Sequence, residues 1–153
     1  MPPTYFDHNA TTPVDPRVRL EMVPWLEDRF GNPSSIHSFG QQAREAVEAA
    51  REEVARLLGV APPEIVFTAS GTEANNTILQ ALCQRQGGPG HLVVSAVEHP
   101  SVENPARALE ARGWEVTWIE PDSQGVIDAC TMNAAIRHDT VVVALVLANN
   151  LVG

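Results

Sequence analysis

Between Thr140 and Ala148 the chain carries a nearly unbroken apolar run, Val141-Val142-Val143-Ala144-Leu145-Val146-Leu147. A strand with one wet face alternates apolar and polar residues, whereas a continuous run is buried on both faces. Strands of that kind belong to parallel sheets with helices on either side. Such a run is covered on both faces and paired on both edges where later strands and helices follow; in these 153 residues part of its apolar surface and one edge are expected to lie exposed. The preceding sequence supplies the covering helices. Ile65-Val66-Phe67, His91 to Ser95 and Trp114 to Ile119 read as strands, separated by helical stretches at about Thr72–Arg85, Ser101–Arg112 and Asp128–Arg137. Strands alternating with helices of roughly 10–15 residues mean βαβ units. The expected fold class is α/β, a parallel or mostly parallel sheet with flanking helices.

Two further helices lie upstream. Asp15-Pro16 opens one, Asp as cap and Pro at the first helical position, with Pro24 expected to kink it. The second runs from about Phe39 to Leu58, where Ala43, Ala46, Val47, Ala50, Val54 and Leu57 recur at helical spacing and Gly59 ends it. Its wet side offers the pairs Glu48/Arg51 and Glu52/Arg56.

Acidic residues exceed basic ones, 19 against 10, for a net charge of −9, which argues against a binder of nucleic-acid backbone. No stretch approaches the roughly 18 apolar residues of a membrane span, and no charged-then-apolar leader pattern opens the sequence. Two cysteines, Cys83 and Cys130, give no disulfide framework and fit a reducing compartment, so a cytoplasmic location is expected. Every basic residue is an arginine; the 153 residues contain no lysine.

The stretch Glu64 to Asn76 passes from strand through Ala69-Ser70-Gly71 into a helix start at Thr72, with Glu73 complementing the positive end of the dipole. Strand, small-residue turn and helix start is the geometry of an anion site: free backbone N–H groups leave the turn, Ser70 and Thr72 add hydroxyls, and Gly71 admits close approach. A plain βα loop with a Ser/Thr cap fits the same pattern. In open parallel sheets ligands sit beyond the carboxyl ends of the strands. Three segments are expected there: Ser70-Gly71-Thr72, Glu98-His99-Pro100 and Asn149-Asn150.

These residues resemble a known family. Tyr5-Phe6-Asp7-His8-Asn9-Ala10-Thr11-Thr12-Pro13, Phe30-Gly31-Asn32-Pro33-Ser34-Ser35, Thr68 to Asn76, Glu98-His99 and Ala148 to Gly153 are similar, in order, to the N-terminal part of the cysteine desulfurases. Those are class V, fold-type I enzymes dependent on pyridoxal 5'-phosphate. The resemblance implies residues 1–15 as an entrance segment and 16–153 as part of the large cofactor-binding domain. It implies Gly71 and Thr72 on the cofactor phosphate, His99 stacked on the pyridine ring and moving protons, and Asn150 on the phenolic oxygen. His8, Ala10 and Thr11 match an entrance segment, and Asn32 a turn. L-cysteine as substrate, a sulfur-acceptor protein, service to iron–sulfur cluster or thiolation pathways, and a homodimer for the full-length parent follow from the same resemblance.

Family members hold the cofactor covalently on a lysine in their second half, where the sulfur-carrying cysteine also lies. Neither Cys83 nor Cys130 matches that cysteine, and both are expected to be structural. The family has Glu where this chain has Leu151, and a truncated product, a frameshifted gene or a partial piece of a longer protein is expected. The chain by itself is expected to lack the covalent machinery. Two other readings stand beside this one: a related class V enzyme, such as a selenocysteine lyase or an aminotransferase, and a non-catalytic fragment that binds a phosphate ligand or a partner chain.

Overall fold

The computed structural model describes residues 3–149. The chain divides into two compact units: residues up to Thr11 join those from Thr68 onward in one, and Thr12–Phe67 form the other.

The larger unit is built on a parallel sheet of three strands in the order β2-β1-β3. They are β1 (His91–Ser95), β2 (Glu115–Ile119) and β3 (Thr140–Ala144). All five residues of β1 are buried. Leu92, Val93 and Val94 are fully inaccessible, and each is flanked on both sides by a neighbouring strand. Alternate side chains leave a strand on opposite faces, and both faces of β1 are covered. Leu92 and Val94 pack with Leu79, Cys83, Ala106 and Trp114, which places the helices Gly71–Gln86 and Pro100–Glu110 on one face. Val93 packs with Ile119 and Met132, which places the short helix Ala129–Ala134 on the other. The α/β class and the three-layer order thus follow from the unbroken Leu-Val-Val of β1.

Two strand expectations need correcting. Ile65 is extended, but Ile65-Val66-Phe67 joins no ladder among the described residues. Both edges of β1 are taken by β2 and β3, and the Ile65 carbonyl instead accepts from Arg51 Nη1, whose guanidinium lies 5.0 Å from the Phe67 ring centroid. The second correction concerns the apolar run at the end of the series. Its strand stops at Ala144, short of Ala148, and, as expected for this chain, has a neighbour on one side only among the described residues, with its residues half-buried and Val143 exposed. Leu145 and Leu147 also lie exposed. The continuous apolar pattern registers hydrophobicity, and only a neighbour on each side turns that into double burial.

The smaller unit holds α1 (Pro16–Leu26) and α2 (Ser38–Leu58). Asp15 caps α1 as expected, accepting from the Arg17 N–H at 2.8 Å. The wet face of α2 pairs Arg51 with Glu48, but Arg56 reaches Glu53 and not Glu52. Gly59 ends α2 in the left-handed region, at φ 70°, where a side chain would be strained. The remaining helices are α3 (Gly71–Gln86), α4 (Pro100–Glu110) and α5 (Ala129–Ala134), all in the larger unit.

At the amino edge of the sheet Arg137 ties two elements together, with a bidentate pair to Glu115 at 2.6 and 2.8 Å and a second carboxylate, Asp139. The Arg137 guanidinium holds the carboxyls of Glu115 and Asp139 below their ordinary values, and these raise the arginine in turn. A carboxyl lowered on folding stabilises the native state above its unfolded pKa, and that contribution fades as pH falls through the folded value. Acid unfolding of Arg137→Gln is therefore expected to begin at a higher pH than in the parent chain. The two curves should converge only once pH falls below the lowered carboxyl values of Glu115 and Asp139. Circular dichroism against pH checks it; superimposable curves would show the cluster to be inert.

Candidate functional site

The turn before α3 is closed from both sides. Ser70, in extended conformation, is the cap: its Oγ accepts from the Glu73 N–H at 3.2 Å. Glu73 reaches back and accepts from the Ala69 N–H at 2.6 Å. Thr68 Oγ1 donates to the Ser70 carbonyl at 3.0 Å. This reciprocal cap uses two of the donors at the helix start. The N–H groups of Gly71 and Thr72 have no partner among the described residues, nor has the Thr72 hydroxyl, and both residues are exposed. A side chain at Gly71 would meet nothing within 4 Å, so the space over the turn is open.

His99 sits at the start of α4. Its Nδ1 accepts from the Ser101 N–H at 3.0 Å and lies 2.8 Å from Ser101 Oγ. Asn75 Nδ2, on α3, donates to that same Oγ at 2.8 Å. Asn76 Nδ2 donates to the Thr72 carbonyl at 2.8 Å and approaches the Ser101 carbonyl at 3.5 Å. The first turns of α3 and α4 are thereby cross-tied, and Thr72 and His99 line one groove of about 440 Å³ with Asn76, Gln80, Asn104 and Arg112.

The third expected segment is laced to the second. Glu98 Oε1 accepts from the buried Ser95 hydroxyl at 2.7 Å and from the Val146 N–H at 2.6 Å. Asn149 Nδ2 donates to the Val97 carbonyl at 2.8 Å. The chain after β3 is so held beside the loop that carries His99. Asn150 lies outside the described residues.

Other candidates shape their own surroundings. Asn32 shapes its own turn, its Oδ1 accepting from the Ser34 N–H at 2.9 Å. His8 stands edge-on to Tyr5, ring centroids 5.0 Å apart, and the N–H groups of Ala10 and Thr11 both donate to the Asp7 carbonyl. Cys83 is buried in the core and burial pushes its thiol up, as befits a packing residue. Cys130 is exposed, and a packing role for it is not supported. No cluster of metal-ligating side chains occurs among the described residues.

The sequence did not single out Asn75 and Ser101. A hydroxyl two residues after a capping histidine is the only trace they leave in one dimension. Their convergence needs the packing of α3 on α4.

Beside this three-layer parallel sheet, with an open helix-start turn and a histidine after β1, stands the match of residues 4–153 to the aminotransferase class-V family model. The chain belongs to that family. It is 45% identical over 153 residues to a cysteine desulfurase IscS of Methylococcus capsulatus, and 44% identical over 149 residues to cysteine desulfurase 2 of Trichormus variabilis. The match covers 99% of this chain and 38% of the former, and 97% and 37% for the latter. The chain thus spans less than half of these relatives and corresponds to their N-terminal part. Among solved structures it is similar to a NifS-like protein, with TM-score 0.89 and 38% identity over 97% of this chain and 41% of the other. It is also similar to SspA in complex with cysteine, with TM-score 0.86 and 40% identity over 95% and 42%.

Class V enzymes use pyridoxal phosphate, and the residues here can be compared with its needs. Open space over Gly71, two unengaged N–H groups and a free hydroxyl at Thr72 suit a phosphate. An exposed imidazole on the same groove suits the face of a flat ring. With no lysine in the 153 residues, the covalent attachment has no amine here. The residues fit the phosphate and ring ends of the cofactor and not its carbonyl end.

The cap is expected to carry measurable stability. Ser70→Ala should lower unfolding free energy by about 0.5–2 kcal/mol, with Ser70→Asp largely retaining it. Urea unfolding reads this as a lower midpoint at unchanged slope. An unchanged midpoint for Ser70→Ala would mean that the turn is held without its cap.

Proposed function

We propose that this chain is the N-terminal part of a pyridoxal phosphate-dependent cysteine desulfurase and supplies the non-covalent side of the cofactor pocket. The observation that carries the reading is the pairing of Thr72 and His99 on one groove, with the α3 donors left unengaged. The parent reaction is removal of sulfur from L-cysteine, giving L-alanine and a persulfide on the enzyme. When bound, the cofactor supplies an electron sink for the bond changes at the substrate carbon.

The chain's own residues bind and orient. Gly71 and Thr72 N–H groups and the Thr72 hydroxyl hold the phosphate, where the dipole of α3 favours negative charge. Glu73 keeps its carboxylate behind the turn, on the Ala69 N–H, and leaves the Gly71 and Thr72 donors for the ligand. In this reading His99 would stack on the pyridine ring and Asn150 would meet the phenolic oxygen. Glu98 keeps the two segments side by side by holding the Val146 N–H. A sulfur-acceptor protein, a homodimer and a cytoplasmic setting belong to the same proposal. What bears on the setting is that no helix among the described residues is long and apolar enough to cross a membrane.

The lysine-free sequence favours a second reading for the chain alone, that of a non-catalytic phosphate binder. The purified chain with cysteine and pyridoxal phosphate should release no more sulfide than the cofactor alone. It should nevertheless bind pyridoxal phosphate, and Thr72→Ala should weaken that binding about tenfold, the scale of one hydrogen bond to a charged group. Sulfide above the control contradicts the division of labour proposed here, and unchanged affinity in Thr72→Ala removes the phosphate assignment.

A further inference from the structure

The imidazole of His99 is held at one nitrogen only. Nδ1 meets two groups of Ser101, the backbone N–H at 3.0 Å and Oγ at 2.8 Å, whereas Nε2 has no partner among the described residues. The two Ser101 groups differ in what they permit. A hydroxyl can donate or accept, but a backbone N–H cannot turn round. A hydrogen on Nδ1 would point at another hydrogen, so in the neutral ring Nδ1 must carry the lone pair and Nε2 the hydrogen.

Asn75 narrows the choice further. Its Nδ2 donates to Ser101 Oγ at 2.8 Å and takes one of that oxygen's two acceptor positions; with Nδ1 already accepting from the backbone N–H, the hydroxyl meets Nδ1 with its hydrogen. Ser101 is buried, so water does not compete for this arrangement as it would at the surface. The chain runs from α3 to α4: Asn75 to Ser101 to His99. It crosses the two helices whose first turns bear Thr72 and His99.

We propose that Asn75 and Ser101 are positioning residues that lock neutral His99 in the tautomer with hydrogen on Nε2. The ring then offers a bound ligand a hydrogen-bond donor at Nε2 and never a lone pair there. The lock is a property of the chain itself; its use, orienting a ring donor over the cofactor, rests on the reading of His99 given under the proposed function.

Nitrogen-15 labelling of the five histidines and long-range proton–nitrogen correlation test it at about pH 8, where an ordinary imidazole is neutral. H99Q identifies the His99 signals. The wild-type chain is expected to show the Nε2–H tautomer. S101A and N75A should each move the ratio toward Nδ1–H by about 2- to 10-fold, the weight of one neutral hydrogen bond. S101T, which keeps the hydroxyl, should restore it. A merely structural Ser101 would alter stability without moving the ratio. Predominant Nδ1–H in the wild type, or an unchanged ratio in both S101A and N75A, overturns the proposal. Added pyridoxal phosphate should shift Nε2 more than Nδ1, and a larger shift at Nδ1 also overturns it. No shift at either nitrogen, with the tautomer still Nε2–H, counts against the cofactor reading and supports the lock.

Discussion

The larger unit depends on one strand being wholly enclosed. β1 has β2 on one edge, β3 on the other, and a helical layer on each face. Its three central side chains are each worth about 1.5–3 kcal/mol when taken out of water, against a total stability of about 5–15 kcal/mol for a domain. The enclosure also fixes direction. With three parallel strands, every carboxyl end lies on the same edge, and the loops leaving those ends must meet there. Ser95 closes β1, and the next four residues deliver Glu98 and His99.

The site is then made by two helix starts. α3 and α4 pack side by side on one face, and their starts put Thr72 and His99 on the groove they share, beside Asn76, Gln80, Asn104 and Arg112. Both starts are capped by side chains that do double duty. Ser70 satisfies Glu73 and leaves the Gly71 and Thr72 donors open; His99 satisfies Ser101 and leaves Nε2 open. A cap removes the cost of a buried unpaired donor. Here it also decides which groups remain for chemistry.

Much of this was legible in the sequence because it is local. Ser70-Gly71-Thr72 announced a helix start, Gly59 an end, and His91–Ser95 a short strand. What failed was information about neighbours. Ile65-Val66-Phe67 is as apolar as β1, yet it has no ladder among the described residues, and the strand that opens the Val141–Leu147 run ends at Ala144. Apolar character says that a segment seeks burial, not what will cover it. Asn75 and Ser101 were missed for the same reason, since 26 residues separate two groups that lie 2.8 Å apart. His91 is a further case: a fully buried imidazole at the other end of β1, held by the hydroxyls of Thr140 and Thr117 at 2.8 Å each, from the two flanking strands. Nothing in its flanking sequence marks it as interior.

The central claim is that the start of α3 is a phosphate site on the carboxyl edge, and amide mapping tests it most directly. Proton–nitrogen spectra of the chain would be compared on titration with pyridoxal phosphate and with pyridoxal, which has the ring and no phosphate. The account predicts that pyridoxal phosphate moves the amides of Gly71 and Thr72 most, and that pyridoxal leaves both in place. Equal shifts from the two ligands, or shifts confined to residues away from α3 and α4, would contradict it.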